Sequence, residues 1–201
     1  FDAYQRFMPR QVSPYPVVIV DIDDASLAAL GRWPWPRTRL ARLVEATHRS
    51  GALAIGFDMI MPEPDSLSPQ GLLVDRQDVS PTLNNSLAKL PSNDAILAET
   101  LRRIPTVVAR AGVTDGNARN TPRSGQTPVV IVGENPVGHL ESYGGDLTNI
   151  PEIEIEASGR GYLNDTRDAD GVVRSLPLLM VINGEPAPSF ALELLRVATG
   201  Q

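Results

Sequence analysis

PVVIVDIDDASLAALGRWPWPRTRLARLVEATHRSGALAIGFD, Pro16 to Asp58, carries two hydrophobic periods in one short stretch. PVVIVDI, Pro16 to Ile22, is a β-branched run broken only by Asp21. Strands apolar on both faces belong inside a sheet, most often a parallel one. Asp24-Ala25-Ser26-Leu27 then opens a short helix with Asp24 as its N-cap. Pro36 suits the first position of the next helix, where its missing N–H costs nothing. Over Pro36 to Ser50, Leu40, Leu43, Val44 and Thr47 recur at i, i+3, i+4 and i+7, and Gly51 ends the pattern. ALAIGFD, Ala52 to Asp58, reads as a second apolar strand. Strand, helix and strand with short joins predict a right-handed βαβ unit.

Outward from that unit, residues 62–91 lose periodicity and gain Pro, Ser, Asp and Asn, as a long loop does. SNDAILAETLRRIP, Ser92 to Pro105, restores a helix with basic residues in its last turn. Strands are predicted at Thr106 to Ala109 and Val129 to Val132. GVVRSLPLLMVING, Gly171 to Gly184, predicts antiparallel hairpins turning at Asp170-Gly171 and Asn183-Gly184. SFALELLRVATG closes the chain with a helix capped by Ser189 and stopped by Gly200. At the other end, Phe1, Tyr4, Phe7 and Met8 fall at helical spacing before Pro9, which places a helix within residues 1–12. The class is α/β (α+β): a mixed β-sheet with packed helices, an N-terminal βαβ unit, C-terminal β-hairpins and a closing helix.

Composition narrows the function. The 201 residues are 42% hydrophobic, enough for a real core, and carry a net charge of −6. Arginines are scattered and form no basic stripe, which argues against nucleic-acid binding. The absence of cysteine excludes disulfides, thiolate nucleophiles and zinc ribbons. No apolar run reaches the roughly 18–20 residues that cross a bilayer. The chain opens on Phe1 rather than Met and reads as a segment of a longer protein.

Three stretches are candidates for chemistry. Asp21, Asp23 and Asp24 end the first expected strand and Asp58 the second. Carboxylates at the carboxyl ends of sheet strands hold a divalent cation, bond a hydroxylated ligand, or simply cap the following helices. NDTRDADGVVR, Asn164 to Arg174, lacks the first carboxylate and the final Glu of an EF-hand, so Asx-turns opening a hairpin describe it better. GRWPWPR, Gly31 to Arg37, holds both tryptophans of the chain, each followed by proline. Such stiff indoles serve as a stacking platform or as a packing wedge. His48 and His139 have no partner at metal-ligand spacing, and no G-x-S-x-G, P-loop or G-x-G-x-x-G is present, so no catalytic residue, metal or cofactor is assigned.

The stretch from Val17 to Asp65, ending in MIMPEPD, closely resembles the signature of CHASE2 domains. GYLNDTRDADGVVRSLPLL and PSFALELLRVATG are similar to the family's second landmark and closing helix. Only the loop from Ser66 to Pro91 is unplaced. The resemblance implies one extracytoplasmic (periplasmic) sensor domain over residues 1–201, with residues 1–12 as a juxtamembrane helix. Membrane helices would flank it and join it to a cytoplasmic adenylate or guanylate cyclase, histidine kinase or Ser/Thr kinase. It implies no catalysis in the domain itself. The implied partners are a small-molecule or protein signal and a second copy in a full-length homodimer. Positions carried over are Asp21, Asp23, Asp24, Ser26, Gly31, Trp33, Pro34, Trp35, Pro36, Arg37, Asp58, Asn164, Asp168, Gly171 and Arg174. From these the expected ligand site is Asp23, Asp24 and Asp58, walled by Trp33 and Trp35, with Arg37 nearby. The alternatives are a ligand-free dimerisation or envelope-protein module, and a metal-assisted hydrolase.

Overall fold

A strand needs a partner whose backbone groups complete its ladder, whatever the β-propensity of its side chains. The computed structural model describes residues 7–8, 17–71, 80–114, 128–167 and 170–201. Residues 17–22 form no strand with any described residue, and Val17, Val18, Ile19 and Val20 are 64%, 84%, 86% and 56% exposed. Among the described residues, the first strand of the expected βαβ unit is therefore not formed. Residues 128–132, expected to contain another strand, likewise form no strand with any described residue. Of the helix expected within residues 1–12, only Phe7 and Met8 are described.

The chain divides into two units, Phe1–Trp35 and Pro36–Gln201. In the first, α1 (Asp24–Leu30) is capped by Asp23 rather than Asp24: Asp23 Oδ1 accepts from Ser26 N at 2.8 Å and Ser26 Oγ at 2.6 Å. Those hydrogen bonds hold the Asp23 carboxyl below its ordinary value. Gly31, at φ +92°, ends the helix, and none of its residues is buried.

The second unit holds α2 (Arg37–Arg49), β1 (Ile55–Phe57), α3 (Pro81–Ala88), α4 (Asn93–Arg103) and β2 (Thr106–Val113). β3 (Ser142–Tyr143), β4 (Gly145–Leu147), α5 (Pro151–Glu156), β5 (Gly159–Tyr162) and β6 (Thr166–Arg167) follow. β7 (Val173–Ser175), β8 (Leu179–Ile182), β9 (Glu185–Pro188) and α6 (Phe190–Thr199) complete it. Helices start where the sequence places caps: Ser92 Oγ accepts from Ala95 N, and Ser189 Oγ from Leu192 N. Pro36 is the N-cap of α2 rather than its first helical residue. The long loop contains α3, capped by Ser80.

β2 organises the sheet. It pairs in parallel with β1 (Ile55↔Thr106) and β5 (Val107↔Gly159), and antiparallel with β4 (Ala111↔Leu147). The parallel βαβ connection thus runs from β1 through α4 to β2, one element later than expected. Val107, Val108 and Ala109 are fully buried, with Leu40 and Val44 of α2, Leu97 and Leu101 of α4 and Ile153 of α5 in the same core. A second sheet, β3-β8-β9, packs Met180, Ile182 and Ala187 with Tyr162, and Tyr143 lies against them. The β8–β9 hairpin turns at Asn183 (φ 51°) and Gly184 (φ 87°), both in the left-handed region that a two-residue hairpin requires. The class expected from sequence, mixed α/β with a closing helix, is the class observed.

Candidate functional site

Proline at the N-cap leaves α2 without a side-chain acceptor of its own for its first N–H groups. The acceptor comes from the loop after β1. Arg37 N donates to Asp65 Oδ2 at 2.8 Å, and the same oxygen accepts from Asn93 Nδ2 at 2.9 Å. Asp65 Oδ1 accepts from Leu67 N, while Asp65 N donates to Asp94 Oδ2, each at 2.8 Å. Asn93 N in turn donates to Ser68 Oγ at 3.0 Å. Two carboxylates therefore tie the N-termini of α2 and α4 to one loop, where the helix dipoles favour negative charge.

The knot is incompletely paired. Arg37 Nε lies 3.5 Å from Asp94 Oδ1, and neither atom makes a hydrogen bond among the described residues although both are buried. Asp94 is only 4% exposed. Burial pushes its carboxyl up, against the Asp65 N–H and the Arg37 charge that favour ionisation; the charges of Asp65 and Glu152 push it up further.

The six expected site residues fall in both units. In the first, Trp33 and Trp35 are brought together, with ring centroids 6.0 Å apart and planes tilted by 59°. Their roles divide: Trp35 is 5% exposed and donates from Nε1 to Gly31 O at 2.8 Å, whereas Trp33 is 42% exposed. Asp23 and Asp24 are exposed, one as cap and one in the first turn of α1. In the second unit Arg37 belongs to the carboxylate knot, and Asp58 stands exposed just past β1. Among the described residues no three His, Cys, Asp or Glu side chains are placed to hold a metal ion.

Asp65, Asn93 and Asp94 escaped the sequence reading. An Asp two residues after a Ser cap reads as an ordinary helix-dipole partner, and Asp65 closes MPEPD with nothing local to mark it. The landmark around Asn164 is explained by pairing. Asn164 Oδ1 accepts from Gly112 N at 2.6 Å and Nδ2 donates to Gly112 O at 2.9 Å, so the carboxamide extends the β5 edge as a strand backbone would. Asp170 Oδ1 accepts from Val172 N, an Asx-turn opening the β6–β7 hairpin, and its carboxylate takes a bidentate pair from Arg174, which lowers its pKa. Asp168 lies outside the described residues.

A buried charge network was also invisible in sequence. Arg110, 2% exposed on β2, donates to Glu154 Oε2 from Nη2 at 2.6 Å, and Asn149 N and Nδ2 satisfy Oε1 at 2.9 Å. Arg160 donates to the Glu154 backbone carbonyl. Tyr162 Oη donates to Asp146 Oδ2 at 2.7 Å, and burial pushes the phenol well above its ordinary value. These contacts give Glu154, Arg110 and the Tyr162 hydroxyl hydrogen-bond partners inside the core. Between α2 and α4 lies an open groove of about 530 Å³, lined in part by Thr38, Ala41, Arg42, Ala95, Ile96 and Thr100.

The CHASE2 domain family model matches residues 1–201. The chain belongs to the CHASE2 family. No curated protein and no solved structure matches it. CHASE2 domains are bacterial extracytoplasmic sensors, generally flanked by transmembrane helices. No helix among the described residues of this CHASE2 domain is long and apolar enough to cross a membrane.

Proposed function

We propose that this CHASE2 domain is the extracytoplasmic, non-catalytic input module of a bacterial inner-membrane receptor. Its output is a cytoplasmic adenylate or guanylate cyclase or a protein kinase of the same chain, reached through flanking membrane helices. The observation that carries this reading is the family match across residues 1–201. A signal acts on such a module only through different affinities for two arrangements of it. We assign ligand contact to Trp33, Asp23 and Asp24 of the first unit. Trp35, being buried, positions Trp33, and Arg37 anchors α2.

Two tryptophans with opposite exposure make the test direct. A panel of small periplasmic metabolites is titrated against the 201-residue chain, reading intrinsic fluorescence and thermal shift together. A binder should quench the exposed indole and stabilise the fold as RT ln(1 + [L]/Kd). Both effects should vanish in Trp33→Ala with Asp24→Ala. Unchanged affinity in that double variant overturns the site. A second reading, dimerisation without a small molecule, is favoured by the exposed run at Val17–Val20.

A further inference from the structure

Carboxylates outnumber cations around Asp94, which lies 4% exposed in the first turn of α4. Two helices, α2 and α5, pack against α4. From α2 comes one cation, Arg37, whose Nε stands 3.5 Å from Asp94 Oδ1. From α5 comes the exposed Glu152 in its first turn, and from the loop after β1 comes Asp65, each a negative charge acting on Asp94. All of these belong to the second unit. Two carboxylates and one guanidinium thus share a site nearly closed to water, with a third carboxylate at its edge.

The two oxygens of Asp94 are not equivalent. Oδ2 accepts from Asp65 N at 2.8 Å, whereas Oδ1 is buried and accepts no hydrogen bond among the described residues. A proton on Oδ1 therefore breaks no hydrogen bond. Asp65 N keeps Oδ2, and Asp65 Oδ2 keeps Arg37 N and Asn93 Nδ2. Proton uptake removes the repulsion from Asp65 and Glu152 and leaves every tie between the loop, α2 and α4 in place. If the junction opens, water reaches Asp94 and its ordinary acidity returns. The closed junction holds the proton more tightly, in line with burial pushing this carboxyl up, so acid favours closure and rising pH favours opening.

We propose that Asp94 is a proton-operated latch: proton uptake holds the loop around Asp65 against the N-termini of α2 and α4, and proton loss loosens that junction. External acidity then becomes an input to the domain. The latch goes beyond the small-molecule reading and stands or falls apart from it, since Trp33, Asp23 and Asp24 take no part in it.

Nuclear magnetic resonance of the isotope-labelled 201-residue chain, from acidic to neutral pH, tests this. The Asp65 amide, bonded to Asp94 Oδ2, should shift with a midpoint above the ordinary aspartate value of about 3.9. Asp94→Asn should abolish that transition, and Glu152→Gln, at an exposed position, should move its midpoint down. Hydrogen exchange of the Asp65 and Arg37 amides, divided by the intrinsic rate at each pH, should rise through the transition by up to about tenfold per pH unit. In Asp94→Asn that rise should be absent. A midpoint at the ordinary aspartate value overturns the proposal. So does a transition that survives in Asp94→Asn, or equal protection of both amides on either side of it. If Asp94→Asn does not fold, Glu152→Gln decides, and a midpoint that it leaves unmoved overturns the latch.

Discussion

At the scale of single residues, Asp94 sets the clearest expectation. Its folded-state pKa is raised by burial first and by Asp65 and Glu152 after that. The folded chain therefore holds the proton more tightly than the unfolded one, and stability falls as pH rises from the ordinary aspartate range through the raised value. Asp94→Asn keeps an oxygen for the Asp65 N–H and removes the charge. Compared with the Asn variant at each pH, the wild-type urea midpoint should lose ground as pH rises from acidic to neutral, and a constant difference between the two would contradict the raised Asp94 value. The tryptophans make a second residue-scale contrast. Trp35→Ala empties a buried site and should cost about 3–5 kcal/mol, whereas Trp33→Ala should stay within about 1 kcal/mol. Denaturant melts of the two variants decide it, and equal costs would contradict the observed division of roles.

Between elements, the decisive contacts replace what the backbone leaves open. Asp65 supplies to α2 the cap that Pro36 lacks, from a loop beyond β1. Asn164 supplies to β2 the edge pairing that β5 does not reach. Asn164→Leu breaks both bonds to Gly112 and leaves a strand N–H and C=O unsatisfied, so the expected loss is about 2–4 kcal/mol by chemical denaturation. Faster hydrogen exchange at Gly112 should accompany it. Neither role has a local signature: a cap is legible when it stands beside its helix, as Ser92 and Ser189 do, and not when it comes from elsewhere in the fold.

For the whole molecule, the buried Arg110–Glu154 pair joins the central strand to α5 with its remaining acceptor sites satisfied by Asn149. Removing one partner, as in Glu154→Ala, strands a guanidinium in the core and should cost about 3–5 kcal/mol. Arg110→Met combined with Glu154→Leu should cost less than the sum of the single changes, measured by a double-mutant cycle. What the sequence determined by itself is local: helical periods, Ser caps, the Asn183-Gly184 turn, glycines at positive φ, and a family signature spread over the chain. Those features depend on residues within a few positions of one another. Only the tertiary structure decided which β-branched runs become strands, where Arg37 finds Asp65 and Asp94, and why an arginine sits in an apolar strand. Val17–Val20 and Val107–Ala109 look alike as sequence, yet one is exposed and the other fully buried. The difference is a ladder partner and a covered face, and both are supplied by chain far away in sequence.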